Sequence, residues 1–211
     1  MDRRTVSSRA NPMIRALAGA LARSAVTPDQ ISAFSIAAAT AVPAGLFWIG
    51  GRAGAVVAIA GIQLRLLANV VDGLVAIEGG RRSALGEVWN ELPDRVTDSV
   101  ILVSLGYAFG QGALGWLCAL LALATAYVRV FGGALGQPQR FSGPMAKQHR
   151  MFVATLALVP AALPALAAPA PQAMAIALGA IAAGSALTCV RRTHAIARAL
   201  RGTPRPSGTD A

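Results

Sequence analysis

Six long apolar stretches, separated by short breaks, constrain this chain more than any other feature. They cover residues 31–50, 53–77, 95–112, 114–135, 151–169 and 171–190. A helix needs about 20 predominantly apolar residues to cross the hydrocarbon core of a bilayer. The breaks contain the glycine, proline or charge that is expected at helix ends. The sequence therefore predicts an all-α integral membrane protein with six transmembrane helices.

Composition supports lipid as the main solvent of this chain. Charged residues make up 13% of its 211 residues, and its mean hydropathy is +0.57. A soluble domain normally has about 25% charged residues. The low charge and the positive hydropathy exclude an ordinary soluble globular domain.

The basic residues are distributed very unevenly along the predicted topology. If alternate loops lie on opposite sides, sixteen of the 19 Lys and Arg residues fall on one side and only Arg52 on the other. Basic residues mark cytoplasmic loops, so both termini are predicted to be cytoplasmic. This asymmetry explains the net charge of +10 without a nucleic-acid partner. Abundant alanine and arginine in place of lysine favour a GC-rich bacterial genome and hence a multi-pass protein of the bacterial cytoplasmic (inner) membrane.

The chain divides into three predicted regions. Residues 1–30 form a cytoplasmic N-terminal segment with an interfacial amphipathic helix that begins at Pro12. Residues 31–202 form the six-helix membrane domain, and residues 203–211 form a disordered C-terminal tail.

Six of the nine acidic residues fall between positions 72 and 98, at the cytoplasmic ends of the second and third predicted spans. They are Asp72, Glu78, Glu87, Glu91, Asp94 and Asp98. A carboxylate at mid-bilayer costs about 2.5–3.5 kcal/mol on insertion scales, so acids are rare in spans that do not use them. The three glutamates could also belong to a solvated cytoplasmic loop, where they would offset the charge of nearby arginines. Asp72 and Asp94 fit this alternative poorly, because they align on helix faces at the membrane boundary.

The spacing of these polar residues places them on helix faces. Asn69 and Asp72 are three residues apart on the second span, and Arg65 lies one turn before Asn69. Asn90 and Asp94 are four residues apart on the next helix.

Asp98 continues the second of these faces by one more turn. A short glycine-containing connection joins the two helices, so we expect them to pack antiparallel with their polar faces together. Converging oxygen ligands of this kind are what a hard divalent cation needs.

The same residues carry a resemblance to a known family. The chain reads Asn69-Val-Val-Asp72-Gly73-Leu-Val-Ala76-Ile77 and then Gly86-Glu-Val-Trp-Asn90-Glu-Leu-Pro-Asp94. This resembles the signature D-x-x-D-G-x-x-A-R, a spacer, and G-x-x-x-D-x-x-x-D of the CDP-alcohol phosphatidyltransferases, which are integral membrane enzymes. Thr27-Pro28-Asp29-Gln30 before the first span is similar to the Thr-Pro-Asn-Gln start of that family. The resemblance covers most of the chain.

The chain departs from the signature at three positions. Asn69 and Asn90 replace the first and third aspartates, and Ile77 replaces the arginine. Asparagine keeps a ligating carbonyl oxygen but loses the negative charge. Either weaker metal binding or one metal ion in place of two would follow, and Asp98 is a possible extra acid. These changes match a divergent branch of the family.

The resemblance implies an activity and roles for particular residues. The family displaces CMP from CDP-diacylglycerol or a CDP-alcohol by an alcohol hydroxyl, in phospholipid biosynthesis, with Mg²⁺ or Mn²⁺ as cofactor. By resemblance, Asp94 would be the general base. The metal ligands implied are Asp72, Asn69, Asn90 and Asp94, and the substrate-binding residues implied are Gly73, Ala76, Gly86, Arg129, Lys147 and Arg150.

The partners expected are a membrane lipid, a CDP-linked substrate and a small alcohol acceptor, and a homodimer is left open as the assembly. Two other functions are also left open. One is a catalytically reduced member that binds lipid or nucleotide without turnover, which the two asparagines motivate. The other is a small transporter, which is disfavoured because transport sites lie near the midplane whereas these acids lie at one membrane face.

Overall fold

The computed structural model describes residues 11–78, 86–139, 141 and 143–202. Within its helices, the side chains of residues 77, 78, 86, 87, 89, 90 and 202 lie outside this description. The predicted disordered tail, 203–211, and the first ten residues of the predicted N-terminal segment also lie outside it. The described ranges contain helices and turns and no β-strand, so the all-α prediction is confirmed for them.

Seven α-helices run through the described part of the chain. They are α1 (Pro12–Ala22), α2 (Pro28–Ala44), α3 (Gly51–Glu78), α4 (Gly86–Ala108), α5 (Gly112–Ala134), α6 (Lys147–Ala162) and α7 (Ala170–Gly202). A π-helical turn, Gly45–Ile49, extends α2, and a 3₁₀ turn, Pro164–Leu166, follows α6.

Within the described residues, four helical segments are long and apolar enough to cross a membrane, which makes the chain a multi-pass membrane protein. They are Pro28–Ile49, Gly51–Ala76, Gly112–Ala134 and Ala170–Arg201. The other two predicted spans, in α4 and α6, are not among these segments. Helix α4 carries Glu91, Asp94, Arg95 and Asp98 up to about its midpoint. Helix α6 has only 16 residues and ends at Ala162, close to Pro160 and Pro164, rather than continuing to residue 169 as predicted.

Local signals in the sequence explain where the first two helices begin. Asn11 caps α1 by accepting a hydrogen bond from the backbone N–H of Met13 at 2.9 Å. Thr27 and Gln30 form a reciprocal capping box at the start of α2, with distances of 3.2 and 3.0 Å. Pro28 occupies the first turn, where its missing N–H has no helical partner to lose.

Glycines let neighbouring helices approach closely at the end of the bundle that contains the turns near residues 50 and 110. A Cβ on Gly45 would lie 2.6 Å from the carbonyl oxygen of Gly54, where α2 meets α3. A Cβ on Gly106 would lie 2.7 Å from the Cα of Gly115, where α4 meets α5. Lipid gives little hydrophobic drive for helix association, so such contacts between small residues contribute much of it.

These contacts predict that two glycine-to-alanine substitutions differ in their effect on stability. Gly106→Ala should destabilise the protein by about 1–3 kcal/mol, because the added methyl group meets backbone atoms that cannot move aside. Gly179→Ala on α7 is the matched control, since no atom lies within 4 Å of its Cβ position. Unfolding in mixed micelles would measure both free energies. Equal stability of the two variants would contradict the close packing at Gly106.

Two apolar clusters hold the helices together. The larger one fills the centre of the bundle and contains Ile62, Leu102, Met151, Leu158 and Leu178, all fully buried. The smaller one joins α1 to α2 and α3 through Ala18, Ile31, Val71 and Val75, with other residues at its edge. Between these clusters, the last turns of α3 and the first half of α4 bring polar residues into the interior.

Candidate active site

Asn69 of α3 and Asp94 of α4 are in direct contact. The Asn69 amide nitrogen donates to Asp94 Oδ1 at 3.0 Å. Its carbonyl oxygen accepts a hydrogen bond from the Ser35 hydroxyl of α2 at 2.8 Å. A carboxylate only accepts hydrogen bonds, so the nitrogen of the amide has to face Asp94. The structure therefore brings together the two polar faces that the sequence placed on neighbouring helices.

Asp72 lies about one turn further along α3 and is almost fully buried. Its Oδ2 accepts a hydrogen bond from the Ser32 hydroxyl at 3.0 Å. Its Oδ1 is buried and has no hydrogen-bond partner among the described residues. A buried carboxylate oxygen without a donor is unfavourable, so this oxygen is the atom of the site that best fits a cation ligand.

Arg65 is a fully buried arginine at the centre of the polar residues. Its Nη2 lies 3.0 Å from Asp94 Oδ1 and 2.8 Å from Asp98 Oδ1. The guanidinium also donates to the Thr97 hydroxyl from Nε at 2.9 Å and from Nη2 at 2.7 Å. Thr97 donates in turn to the carbonyl oxygen of Pro93 at 2.8 Å. These contacts fix the guanidinium between two carboxylates of α4.

Lys147, the first residue of α6, approaches the other oxygen of Asp94. Its Nζ lies 2.5 Å from Asp94 Oδ2, and Arg95 Nη2 lies 3.7 Å from the same oxygen. Asp94 is thus contacted on Oδ1 by Arg65 and Asn69, and on Oδ2 by Lys147 and Arg95.

Arg150 ties Asp98 to two other elements. Its Nη2 lies 3.3 Å from Asp98 Oδ2. Its Nη1 donates to the carbonyl oxygen of Met145 at 3.0 Å and to the Thr125 hydroxyl at 3.3 Å. A single buried side chain therefore connects α4, α5 and the segment before α6.

Arg129 of α5 holds the segment that follows its own helix. Its Nη2 lies 2.6 Å from Glu91 Oε2, and its Nη1 donates to the Gln139 side chain at 2.7 Å. Its guanidinium also lies 4.9 Å from the centre of the Phe141 ring. Glu91 is partly exposed, but its ion pair with Arg129 distinguishes it from a freely solvated loop acid.

The remaining predicted site residues lie on the same two helices. Gly73 and Ala76 are partly buried in the last turns of α3. Gly86 is the first residue of α4, and Asn90 lies one turn later. The Asn90 side chain lies outside the described residues, so its predicted metal ligation is untested.

Four functional candidates were missed or misread in the sequence. Ser32, Ser35 and Thr97 contact the site through their hydroxyls. Ser32 and Ser35 could have been identified from the sequence, because they are polar residues three apart in an apolar span. Arg192 is buried and donates to the carbonyl oxygens of Thr125 at 2.7 Å and Phe141 at 3.0 Å. Its place beside Arg191, in a basic segment that fits a cytoplasmic loop, gives no sign of this burial.

The described side chains show how the site could hold a metal ion. Among them, no group of three or more His, Cys, Asp or Glu residues is arranged to hold a metal ion. Arg65 and Lys147 already contact Asp94. Two carboxylate oxygens, Asp72 Oδ1 and Asp98 Oδ1, are buried without a hydrogen bond from the described residues, and of these Asp98 Oδ1 lies 2.8 Å from Arg65 Nη2. A divalent cation would therefore meet an open carboxylate oxygen at Asp72, whereas at Asp94 it would compete with Arg65 and Lys147.

Three bacterial enzymes show clear sequence similarity to this chain, although no protein-family profile matches it. The phosphatidylinositol phosphate synthase of Streptomyces avermitilis is 30% identical over 84% of this chain and 75% of its own length. Enzymes of the same name from Mycobacteroides abscessus and Mycolicibacterium smegmatis are each 29% identical. They cover 77% and 86% of this chain, and each match spans 82% of the relative.

The fold is also shared with a solved enzyme. The phosphatidylinositol phosphate synthase of Mycobacterium tuberculosis with CDP-DAG bound has a TM-score of 0.66 and 24% identity, and the match covers 95% of this chain and all of that one. Its complex with manganese and citrate gives the same TM-score over 94% of this chain and 93% of that one. With the signature in register and these relatives along most of its length, the chain belongs to the CDP-alcohol phosphatidyltransferase family.

Proposed function

We propose that this chain transfers the phosphatidyl group of a CDP-linked lipid to an alcohol hydroxyl and releases CMP. Its relatives are named for such a synthesis, and a solved homologue was captured with CDP-DAG. The observation that carries the proposal is the contact between the signature faces of α3 and α4, with Asn69 and Asp94 3.0 Å apart. This contact joins signature positions 69 and 94 in a buried polar cluster.

Asp94 is the proposed general base. Its Oδ1 contacts Arg65 and Asn69, and its Oδ2 contacts Lys147 and Arg95. Oδ2 is proposed to take the proton from the acceptor hydroxyl. Lys147 lies beside Oδ2 and would hold the carboxylate in position by charge. A side chain that accepts a proton in this way contributes by lowering the barrier to attack of the alcohol on phosphorus.

Asp72, with Asn69, Asn90 and Asp94, is the proposed holder of a divalent metal ion, Mg²⁺ or Mn²⁺. When bound, such an ion neutralises charge on the phosphoryl oxygens and on the departing phosphate. The manganese complex of the Mycobacterium tuberculosis homologue supports a divalent ion here. Gly73, Ala76 and Gly86 have small or no side chains and would leave space for the nucleotide.

The acceptor is proposed to carry a phosphate of its own, as the names of the relatives imply. Arg129, Lys147 and Arg150 supply the positive charge that such an acceptor needs. All three lie at the same end of the bundle as Asp94, and Lys147 contacts it. An arginine can bind phosphate through two parallel hydrogen bonds, which also orients the ligand.

The membrane arrangement belongs to the same proposal. We infer six spans, with α4 and α6 added to the four apolar segments, both termini in the cytoplasm of a bacterium, and α1 lying at the interface. Exposed aromatic residues support a membrane boundary at the end of the bundle opposite the acids, where Trp48, Tyr107 and Trp116 lie. Tryptophan and tyrosine are enriched at membrane–water interfaces.

The second candidate is a family member that binds the lipid or nucleotide without turnover. The replacement of two signature aspartates by Asn69 and Asn90 favours it. The cations that already contact Asp94 also favour it, since they compete with a metal ion for that carboxylate.

An assay of CMP release separates these two candidates. The purified protein in lipid nanodiscs would receive CDP-diacylglycerol and a panel of alcohols that includes inositol and inositol phosphate, with and without Mg²⁺ or Mn²⁺. We expect metal-dependent CMP release that a phosphorylated alcohol stimulates more than its unphosphorylated form. The Mycolicibacterium smegmatis relative serves as a positive control. Activity of that control together with no release by this chain would favour the binding protein.

A further inference from the structure

We propose that Arg65 serves as a built-in cation of this site, so that the site takes one divalent metal ion and not two. The inference rests on the proposed metal-dependent function and makes it more specific. Arg65 lies outside the family signature, one turn before Asn69. It acts through Asp94 and Asp98, and is therefore a positioning residue.

The first argument comes from the contacts of the guanidinium. One nitrogen, Nη2, lies within 3.0 Å of Asp94 Oδ1 and 2.8 Å of Asp98 Oδ1. A positive charge shared by two carboxylate oxygens has the position that a bridging cation takes between acids. Arg65 is fully buried, and the Thr97 hydroxyl accepts from both Nε and Nη2. The charge is therefore held in place, unlike that of a mobile surface arginine.

The second argument comes from the orientation of Asn69. Its amide nitrogen donates directly to Asp94 Oδ1, the same oxygen that Arg65 contacts. Two carboxylates at positions 69 and 94 would repel each other and would need a cation between them. The amide removes that requirement, because it supplies a donor where the signature has an acceptor. The asparagine and the arginine thus satisfy the same carboxylate oxygen.

The third argument is the distribution of ion pairs. Arg65, Lys147 and Arg95 contact Asp94, and Arg65 and Arg150 contact Asp98, whereas Asp72 has no ion pair among the described residues. Asp72 Oδ1 is buried and without a hydrogen-bond partner among the described residues, so it marks where a divalent ion would bind. Asn69 and Asn90 remove two acids from the signature, and Asp98 restores one of them. Arg65 supplies positive charge that a second metal ion would otherwise supply.

The direct test is the number of manganese ions bound per chain. Purified protein in nanodiscs would be titrated with Mn²⁺, with free Mn²⁺ followed by electron paramagnetic resonance and bound metal by elemental analysis. We expect one tightly bound ion per chain, with no spin-coupled signal from a metal pair. Two ions would overturn this inference and leave the proposed function intact. No bound ion at all would overturn both.

Substitutions test the role of Arg65 itself. Restoring both acids in Asn69→Asp/Asn90→Asp should still give one ion, because Arg65 remains in place. Adding Arg65→Met to that pair should admit a second ion and produce the spin-coupled signal, whereas adding Arg65→Lys should not. Arg192→Met is the matched control, since it removes another buried arginine, one that donates to backbone carbonyls.

Size-exclusion chromatography and thermal melting would show which variants fold. A second ion in Asn69→Asp/Asn90→Asp with Arg65 unchanged would overturn the proposal, as would a single ion in the folded triple variant with methionine. If the methionine variant does not fold, the wild-type count and the count in the double variant still decide the proposal.

Discussion

Replacing Asp94 by asparagine should lower the rate of CMP release by about 10²- to 10⁴-fold, the range typical for loss of a general acid or base. The substitution keeps the shape of the side chain and removes the group that would accept the proton. It also leaves Arg65 and Lys147 beside a neutral amide, which disturbs the charge of the site. Initial rates at saturating CDP-diacylglycerol and metal would measure the loss.

The matched control for that variant is Asp29→Asn. It makes the same chemical change in the first turn of α2, away from the polar site. We expect it to change the rate by less than about twofold, because substitutions outside the core and the site have small effects. Thermal melting of both variants would show that the protein remains folded. A folded Asp94→Asn variant with more than a tenth of the wild-type rate would contradict the role of Asp94 as base.

Replacing Asp98 by asparagine should be the most destabilising single change in the site. Removing one partner of a buried ion pair costs about 3–5 kcal/mol, because the other charge remains buried without compensation. Here the loss affects two arginines, since Asp98 pairs with Arg65 and with Arg150. Equilibrium unfolding in mixed micelles would measure the change in free energy.

A double-mutant cycle tests whether this cost arises from the ion pair. Asp98→Asn and Arg150→Met would be measured separately and together. We expect the double variant to be more stable than the sum of the single changes predicts, because contacting charges couple. Strictly additive losses would show that Arg150 stabilises the fold through Thr125 and Met145 rather than through Asp98.

Much of this site could be predicted from helix periodicity. Residues three or four apart share a face, which placed Asn69 with Asp72 and Asp94 with Asp98. A short connection between the two helices then predicted that the faces meet, and Asn69 does contact Asp94. The helix starts at Pro12 and Pro28 were also readable, because their caps are local in sequence.

The contacts between distant helices were not predictable in the same way. Periodicity gives a residue's face but not the rotation or axial offset of one helix against another, so the pairing of Arg65 with Asp98 was not visible. Arg192 and Arg150 lie among basic residues that all fit a cytoplasmic loop, and only packing shows that these two are buried. The early end of α6 depends on two prolines within an apolar run that hydropathy alone reads as continuous.

The buried ion pairs also restrict which substitutions this sequence can accept during evolution. A neutral residue at position 98 would leave Arg65 and Arg150 without their shared acid, and a neutral residue at position 65 would leave two acids facing each other. Each single change therefore leaves a buried charge without one of its partners, which is costly. Positions 65, 98 and 150 should therefore be inherited as a unit among close relatives, and the arginines should persist only where the acid persists.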